Sequence, residues 1–211
     1  MKEKFKNKYR IEPNRLQYWD YSAPGNYFIT IITENRNCIF GTIKNGLMQL
    51  SKYGRIVENE FLKINHYNKR VQLDEYIVMP NHVHCIITLT DYNDDENENV
   101  GGIAVEKIHE FSLRPNTPSR QLSAIKQRHK LTENEIKQYR KIRRNMVLIK
   151  ILGKFKQQTS KHINMERNTP GYSNWQSDFY DHIIRNNGDY KRIKNYIANN
   201  PAKWAEDKLN K

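Results

Sequence analysis

VQLDEYIVMPNHVHCIITLT (residues 71–90) has the composition of two β-strands joined by a tight turn. Residues 71–80 and 82–90 are rich in the β-branched and aromatic side chains that favour strands. Pro80 lacks the backbone N–H that a central strand must donate, so the first strand is expected to end there. The stretch therefore predicts an antiparallel hairpin with its turn at Pro80.

The flanking sequence supplies the other elements of the fold. Residues 25–34 (GNYFITIITE) predict a strand, and residues 172–184 predict a last short strand that runs into a turn of helix. Three helices are predicted: one that starts from an N-cap at Ser51, one over 146–165, and one from residue 188 to about Pro201. This order predicts an α+β fold, a ferredoxin-like or RNA-recognition-like antiparallel sheet with helices packed on one face.

The composition predicts a folded domain with a strongly positive surface. Lys and Arg total 36 against 23 Asp and Glu, for a net charge of +13, and 13 Tyr, 7 Phe and 3 Trp are enough to build a core. Such a surface attracts polyanions, of which nucleic acid is the first candidate; an anionic membrane surface, or plain solubility, is the alternative. We expect one domain over 1–211, with a polar and basic insertion at about 91–145.

Two sequence features point to the cytoplasm. The basic start MKEKFKNKYR is not followed by an apolar stretch, which predicts that no signal peptide is present, and no apolar run is long enough to span a membrane. Cys38 and Cys85 lie in apolar contexts without metal-binding spacing. We therefore expect a cytoplasmic, nucleoid-associated protein with no membrane partner.

His82 and His84 are the residues of the hairpin that suggest chemistry. Side chains in a strand alternate between faces, so the two imidazoles project from the same side and are close enough to bind one divalent ion. A single buried histidine is more often a satisfied core residue. Two unpaired rings on one face of a buried strand would be costly, which makes a metal site as plausible as packing.

The predicted C-terminal helix offers the remaining groups of a phosphate-cleaving site. Tyr196 and Asn200 are four residues apart and therefore share one face of that helix. The amide oxygen of Asn200 is a hard, neutral ligand, and the phenol of Tyr196 is a nucleophile that can form a covalent phosphodiester. Without the histidines, both residues would be assigned to packing and to the helix end before Pro201.

Several blocks of the sequence resemble those of a known enzyme family. MPNHVHCII resembles the histidine–hydrophobic–histidine (HUH) motif of single-tyrosine transposases, and WQSDFYDHIIRNNGDYKRIKNYIANNPAKW resembles the C-terminal block of their REP-associated branch. DYSAPGNYFITIITENRNCIFG and ILGKFKQQTSKHIN are also similar to that branch, whereas residues 91–145 match it least. HxH alone is weakly specific, but the blocks in this order are strongly specific.

The resemblance implies a role for each of four residues. His82 and His84 match the metal-binding pair, Asn200 matches the third ligand, and Tyr196 matches the nucleophile. The implied fold is the ferredoxin-like HUH endonuclease core. The implied reaction is the cleavage and rejoining of single-stranded DNA at hairpins, with Mg²⁺ or Mn²⁺ as cofactor and a 5′-phosphotyrosine intermediate.

Two other tyrosines compete for the role of nucleophile. Tyr180 lies near His182, but its fourth following residue is Ile184, which cannot bind metal. Tyr190 is in the same helix as Tyr196, but its fourth following residue is Lys194. Tyr196 is preferred because a ligand-capable amide follows it by one helical turn.

Basic residues near these blocks are predicted to bind DNA as a set, although each of them alone would be assigned to a solvated helix face. They are Lys154, Lys156, Lys161, Arg185, Lys191, Arg192 and Lys194. Residues 126–144 are either a further DNA arm or a solvent-exposed helix. Trp175 and Phe179 are expected to pack in the core more readily than to stack on unpaired bases.

Two rival functions stay open on the sequence alone. An RNA-recognition-like module would bind nucleic acid without chemistry, and a metal-dependent nuclease could use water in place of Tyr196. Oligomeric state is also open: related transposases include dimers with shared sites, whereas the segment after Pro201 favours a monomer.

Overall fold

The computed structural model describes residues 4–5, 8–9, 19–91 and 133–210. Its strands and helices are numbered separately in chain order. The strands are β1 (Lys4–Phe5), β2 (Lys8–Tyr9), β3 (Gly25–Ile32), β4 (Gly41–Lys44), β5 (Leu47–Leu50), β6 (Val71–Val78), β7 (His82–Leu89) and β8 (Tyr180–Ile184). The helices are α1 (Lys52–Leu62), α2 (Glu133–Asn145), α3 (Val147–Arg167) and α4 (Asn187–Asn199), with 3₁₀ turns at Glu34–Arg36, Ile64–His66 and Pro201–Glu206.

Four strands form the central antiparallel sheet in the order β6-β7-β3-β8. The predicted hairpin is its β6–β7 unit, in which the Met79 N–H donates to the His82 carbonyl at 2.8 Å. With α1 between β3 and β6, and α3 between β7 and β8, the chain follows the βαββαβ order of a ferredoxin-like fold. The predicted fold class is confirmed.

The sheet carries helices on both of its faces, which refines the prediction of helices on one face. The main core lies between the sheet and helices α1 and α3, and it includes Tyr27, Ile29 and Ile31 from β3. The alternate residues of the strands face the other side. There a smaller cluster holds α4 against the sheet, formed by Ile86, Ile184, Ile193 and Ile197 with Phe28 and Ile77 at its margin. We call this second side the α4 face.

Most elements predicted from sequence start and end close to their observed positions, but the strand predicted over 172–184 begins only at Tyr180, because the residues before it pair with the sheet at a single bridge between Thr33 and Trp175. The Ser51 hydroxyl accepts from the backbone N–H groups of Tyr53 and Gly54, as expected of an N-cap. Trp175 and Phe179 are buried in the core, as expected. The predicted insertion at about 91–145 is described only at Asp91 and over 133–145, and α2 forms the second of these parts. The prediction for 92–132 lies outside the described residues.

Gly54 is in α1, where alanine would normally be preferred by about 1 kcal/mol. Its backbone lies against the chain before β4: a Cβ added at Gly54 would lie 2.1 Å from the Phe40 carbonyl oxygen and 2.9 Å from Leu50 Cδ2. That carbonyl also accepts from the Ser51 N–H at 2.8 Å, so it cannot move aside without losing a hydrogen bond. The glycine is required by this close approach.

We expect Gly54→Ala to lower the free energy of unfolding by about 3 kcal/mol, since backbone must shift to admit the methyl group. Gly153 in α3 is the matched control, because a Cβ there would meet nothing within 4 Å. Gly153→Ala should raise stability by about 0.5–1 kcal/mol. Urea denaturation of the three proteins measures both changes, and a Gly54→Ala variant as stable as the parent would contradict the assignment.

Candidate metal centre and nucleophile

The histidine pair lies at the start of β7, on the α4 face of the sheet. His82 and His84 are buried, and their Nε2 atoms are 3.0 Å apart. Because the side chains are two residues apart in one strand, they project from the same face as predicted. The sheet therefore presents two imidazole nitrogens to one point.

Asn81 determines which nitrogen of His82 carries the proton. The Asn81 Nδ2 group donates to the carbonyl oxygens of Arg36, at 3.1 Å, and Leu209, at 2.7 Å. Carbonyl oxygens only accept, so the other atom of the amide, Oδ1, must be the one that faces His82 Nδ1 at 2.8 Å. An amide oxygen also only accepts, and His82 Nδ1 is therefore protonated. Its Nε2 carries a lone pair that points toward His84.

His84 has two arrangements that satisfy its ring. Its Nδ1 is 2.8 Å from the hydroxyl oxygen of Thr30, which can donate or accept. If Thr30 donates, His84 Nε2–H can donate to His82 Nε2, and the pair is closed without an ion. If Thr30 accepts, His84 Nδ1 carries the ring proton and His84 Nε2 carries a lone pair. The lone pairs of the two Nε2 atoms are then on atoms 3.0 Å apart, and this arrangement needs a cation between them.

Asn200 distinguishes the two arrangements. Its side chain is buried, and its Oδ1 atom has no hydrogen-bond partner among the described residues. A buried carbonyl oxygen without a partner is costly, and a shared proton between the histidines does nothing to satisfy it. A divalent ion bound by the histidines would satisfy all three atoms. The donor set therefore fits a metal.

Asp207 joins this group from the segment after α4. One carboxylate oxygen of Asp207 and one nitrogen from each of His82 and His84 lie within 4.8 Å of one another, so these three residues could hold a metal ion. The carboxylate is oriented by the Leu209 N–H, which donates to Oδ1 at 2.7 Å. No sequence pattern indicated Asp207, because it follows a proline-initiated 3₁₀ turn with no periodic relation to the histidines.

Tyr196 lies beside the pair on the exposed side of α4. Its hydroxyl oxygen is 3.3 Å from His84 Nε2, and its ring packs edge-on against Phe28 with the centroids 6.0 Å apart. The residue is 44% exposed, so the side chain is accessible to a ligand. The Asn200 side chain interacts with both His82 and Tyr196. The structure thus brings together Tyr196, His82, His84 and Asn200, the four residues that the sequence singled out.

Burial controls the protonation of these groups. It lowers the pKa of His82 to about 4, and it lowers the pKa of His84 well below its usual value, with the neighbouring His82 acting in the same direction. Burial also raises the pKa of Tyr196, and the Asp207 carboxylate raises it further. At neutral pH the imidazoles are therefore neutral, as metal ligands must be, and the phenol keeps its proton.

Helix α4 is attached to the edge strand β6 by polar contacts. The Tyr190 hydroxyl donates to Asp74, and the Lys194 ammonium pairs with Asp74 at 3.3 Å and Glu75 at 3.6 Å. The Tyr190 hydroxyl is therefore engaged in attaching α4 to β6. Tyr180 also lies apart from the histidines, on β8 at the opposite edge of the sheet.

The seven basic residues predicted to bind DNA divide between the two faces. Lys154, Lys156 and Lys161 are on α3, across the sheet from the histidine pair; Lys154 stacks on Tyr67 and Lys156 donates to the backbone carbonyl of Gln176. Arg185, Lys191 and Arg192 are exposed near α4 on the side of the histidine pair, and Lys194 is paired with β6 as described above. DNA binding by these residues stays a prediction.

Comparisons with known proteins give a sequence relative and a structural match. An uncharacterised protein of Haemophilus influenzae (strain ATCC 51907 / DSM 11121 / KW20 / Rd) is 32% identical over 195 residues, which cover 92% of this chain and 90% of the relative. The chain belongs to the same family as that protein. No protein-family model matches the sequence.

One structural match is a REP-associated tyrosine transposase solved with a bound REP hairpin. It covers 95% of this chain and 76% of the transposase chain, with 17% sequence identity and a TM-score of 0.46. A similarity at this level does not extend to substrate or activity. Among the helices that the structure describes, none is long and apolar enough to cross a membrane.

Proposed function

We propose that this protein is a metal-dependent enzyme that cleaves and rejoins single-stranded DNA at hairpin structures through a covalent tyrosine intermediate. The observation that carries the proposal is that the His82 and His84 imidazoles, the Asn200 side chain and the Tyr196 hydroxyl lie next to one another on the α4 face. A half-exposed phenol beside a set of metal ligands is the arrangement that covalent attack on a phosphodiester requires. The net charge of +13 supports a nucleic-acid substrate.

The protein groups have separate tasks in this reaction. Mg²⁺ or Mn²⁺, when bound, would polarise the scissile phosphate and stabilise its negative charge. Tyr196 Oη forms a bond to phosphorus and loses its proton, the bond from phosphorus to the 3′-oxygen breaks, and that oxygen leaves as a 3′-hydroxyl. The 5′-phosphotyrosine that remains is open to attack by a 3′-hydroxyl, which reverses the step and rejoins the strand. No nucleotide hydrolysis is needed, because the phosphoester is exchanged and not lost.

One chain supplies every group in this scheme. His82 and His84 come from β7, Asn200 from the end of α4, and Tyr196 from the same helix, whose contacts with Asp74 and Glu75 fix it on its own sheet. We therefore propose that a monomer is sufficient for cleavage, in the cytoplasm where the chromosomal DNA is.

The test is the formation of a protein–DNA adduct that survives denaturation. The protein is incubated with 5′- and 3′-labelled single-stranded oligonucleotides that contain hairpins from repeats flanking its own gene, with Mn²⁺, with Mg²⁺ or with EDTA. We expect a shifted band on a denaturing gel that carries only the label 3′ of the break, and that depends on the metal. Tight binding without cleavage across a panel of hairpins would favour a binding module, and cleavage without an adduct would favour attack by water.

A further inference from the structure

Strand pairing in the sheet aligns the exposed residue Tyr180 with the active-site residue His84. His84 pairs with Thr30 of β3, and Thr30 pairs in turn with Tyr180 of β8. Directly paired residues project from the same face of a sheet, so Tyr180 stands on the α4 face in the same row as His84, two strands or about 10 Å away. The inference that follows rests on the proposed function.

Tyr180 is not needed by the core. It is 49% exposed, whereas Ile183 and Ile184 of the same strand are buried. Helix α4 contacts β8 through Ile184 and His182, whereas Tyr180, at the start of β8, stays exposed beside the helix. Tyr180 is thus an accessible aromatic ring on the same face of the sheet as His84 and Tyr196.

Two basic side chains, His182 and Arg192, lie on the same face between Tyr180 and the proposed nucleophile Tyr196. His182, the next residue of β8 on the same face, is 2.6 Å from Asp189 through its Nε2 atom, and the Arg192 guanidinium binds the other oxygen of that carboxylate. Arg192 precedes Tyr196 by four residues and so lies on the same side of α4, one turn away. We call Tyr180, His182 and Arg192 the Tyr180 strip.

We propose that the Tyr180 strip binds the single-stranded nucleotides next to the phosphate that Tyr196 attacks. Tyr180 stacks on an unpaired base, and Arg192, held in place by Asp189, contacts a backbone phosphate. Aromatic rings beside cationic groups are the usual means of holding single strands without reading every base. The charge of the surroundings favours this occupant over a protein partner, because Arg185 and Lys191 are also exposed next to the strip.

The experiment measures DNA binding separately from cleavage. All variants carry Tyr196→Phe so that the strand stays intact, and dissociation constants are determined by fluorescence anisotropy for a hairpin with single-stranded flanks and for the same hairpin without them. Tyr180→Ala should weaken binding of the flanked hairpin about tenfold and leave the bare hairpin unaffected. Tyr180→Phe should bind the flanked hairpin as tightly as the parent, because the ring and not the hydroxyl makes the contact.

Tyr172 provides the matched control. It is 47% exposed, close to the value for Tyr180, but it lies in the segment after α3 and not on the strip. Tyr172→Ala should bind both DNAs like the parent. The proposal is overturned if Tyr180→Ala binds the flanked hairpin as tightly as the parent, if it weakens both DNAs equally, or if the parent binds neither. Because binding is measured without cleavage, failure of the adduct assay would reject the proposed chemistry and leave this test valid.

Discussion

Tyr196→Phe is expected to abolish the covalent protein–DNA adduct, with a decrease of about 1,000-fold or more in its rate of formation. The substitution removes one oxygen atom and keeps the ring that packs on Phe28, so the helix and the metal ligands should stay in position. The Tyr196 hydroxyl lies within reach of His84 Nε2, whereas the Tyr190 hydroxyl is bound to Asp74. The adduct is measured on a denaturing gel with the labelled hairpin, and metal binding and thermal stability are measured on the same sample.

Tyr172→Phe is the control for this result, since it removes a hydroxyl of similar exposure from a residue outside the site. Its adduct should form at the parental rate. A band that persists in Tyr196→Phe and disappears in Tyr180→Phe would move the nucleophile to β8 and contradict our assignment. Strand breaks that continue in Tyr196→Phe without any adduct would indicate that water is the attacking group.

The fold could be predicted well because its local signals agree with one another. Pro80 ends a strand, the residues on both sides have strand composition, and Ser51 caps a helix, so each boundary is set by nearby residues. The position of α4 is different. Ile193 and Ile197 predict that it packs on something apolar, but periodicity does not say which face of a sheet receives the helix.

The parts of the site that could be predicted are those whose geometry follows from the periodicity of side chains along a strand or a helix. The spacing of two in a strand places His82 with His84, and the spacing of four in a helix places Tyr196 with Asn200. Asn81 and Asp207 could not be found in this way. Asn81 acts through bonds to Arg36 and Leu209, which are remote in sequence, and such contacts are determined only by the folded chain.

The C-terminal segment therefore has a role that its sequence does not suggest. Leu209 accepts from Asn81, which in turn fixes the tautomer of His82, and Asp207 brings a carboxylate to the same point. Ligand orientation by outer hydrogen bonds is a general property of metal sites. Here one short segment supplies both the orienting bond and a candidate ligand.

His84→Ala is expected to eliminate the stabilisation of the protein by Mn²⁺. An ion that binds only the folded state raises the free energy of unfolding by about 2.7 kcal/mol at 100 times its dissociation constant. Loss of hydrogen-bonded partners around a ligand weakens metal affinity by about 10- to 100-fold, so loss of the ligand itself should weaken it further. Thermal denaturation at increasing Mn²⁺ concentration, compared with the same protein in EDTA, measures the effect without DNA.

The comparison with EDTA separates metal binding from damage to the core, because His84→Ala also removes a buried side chain and should unfold at a lower temperature in both conditions. His66→Ala is the control: His66 is exposed in the turn after α1, and its loss should leave the response to Mn²⁺ unchanged. An undiminished response in His84→Ala would place the ion elsewhere. Asn200→Ala and Asp207→Ala then decide which oxygen completes the site. Each substitution removes one oxygen donor entirely, so the variant with the larger loss of Mn²⁺ affinity identifies the third ligand.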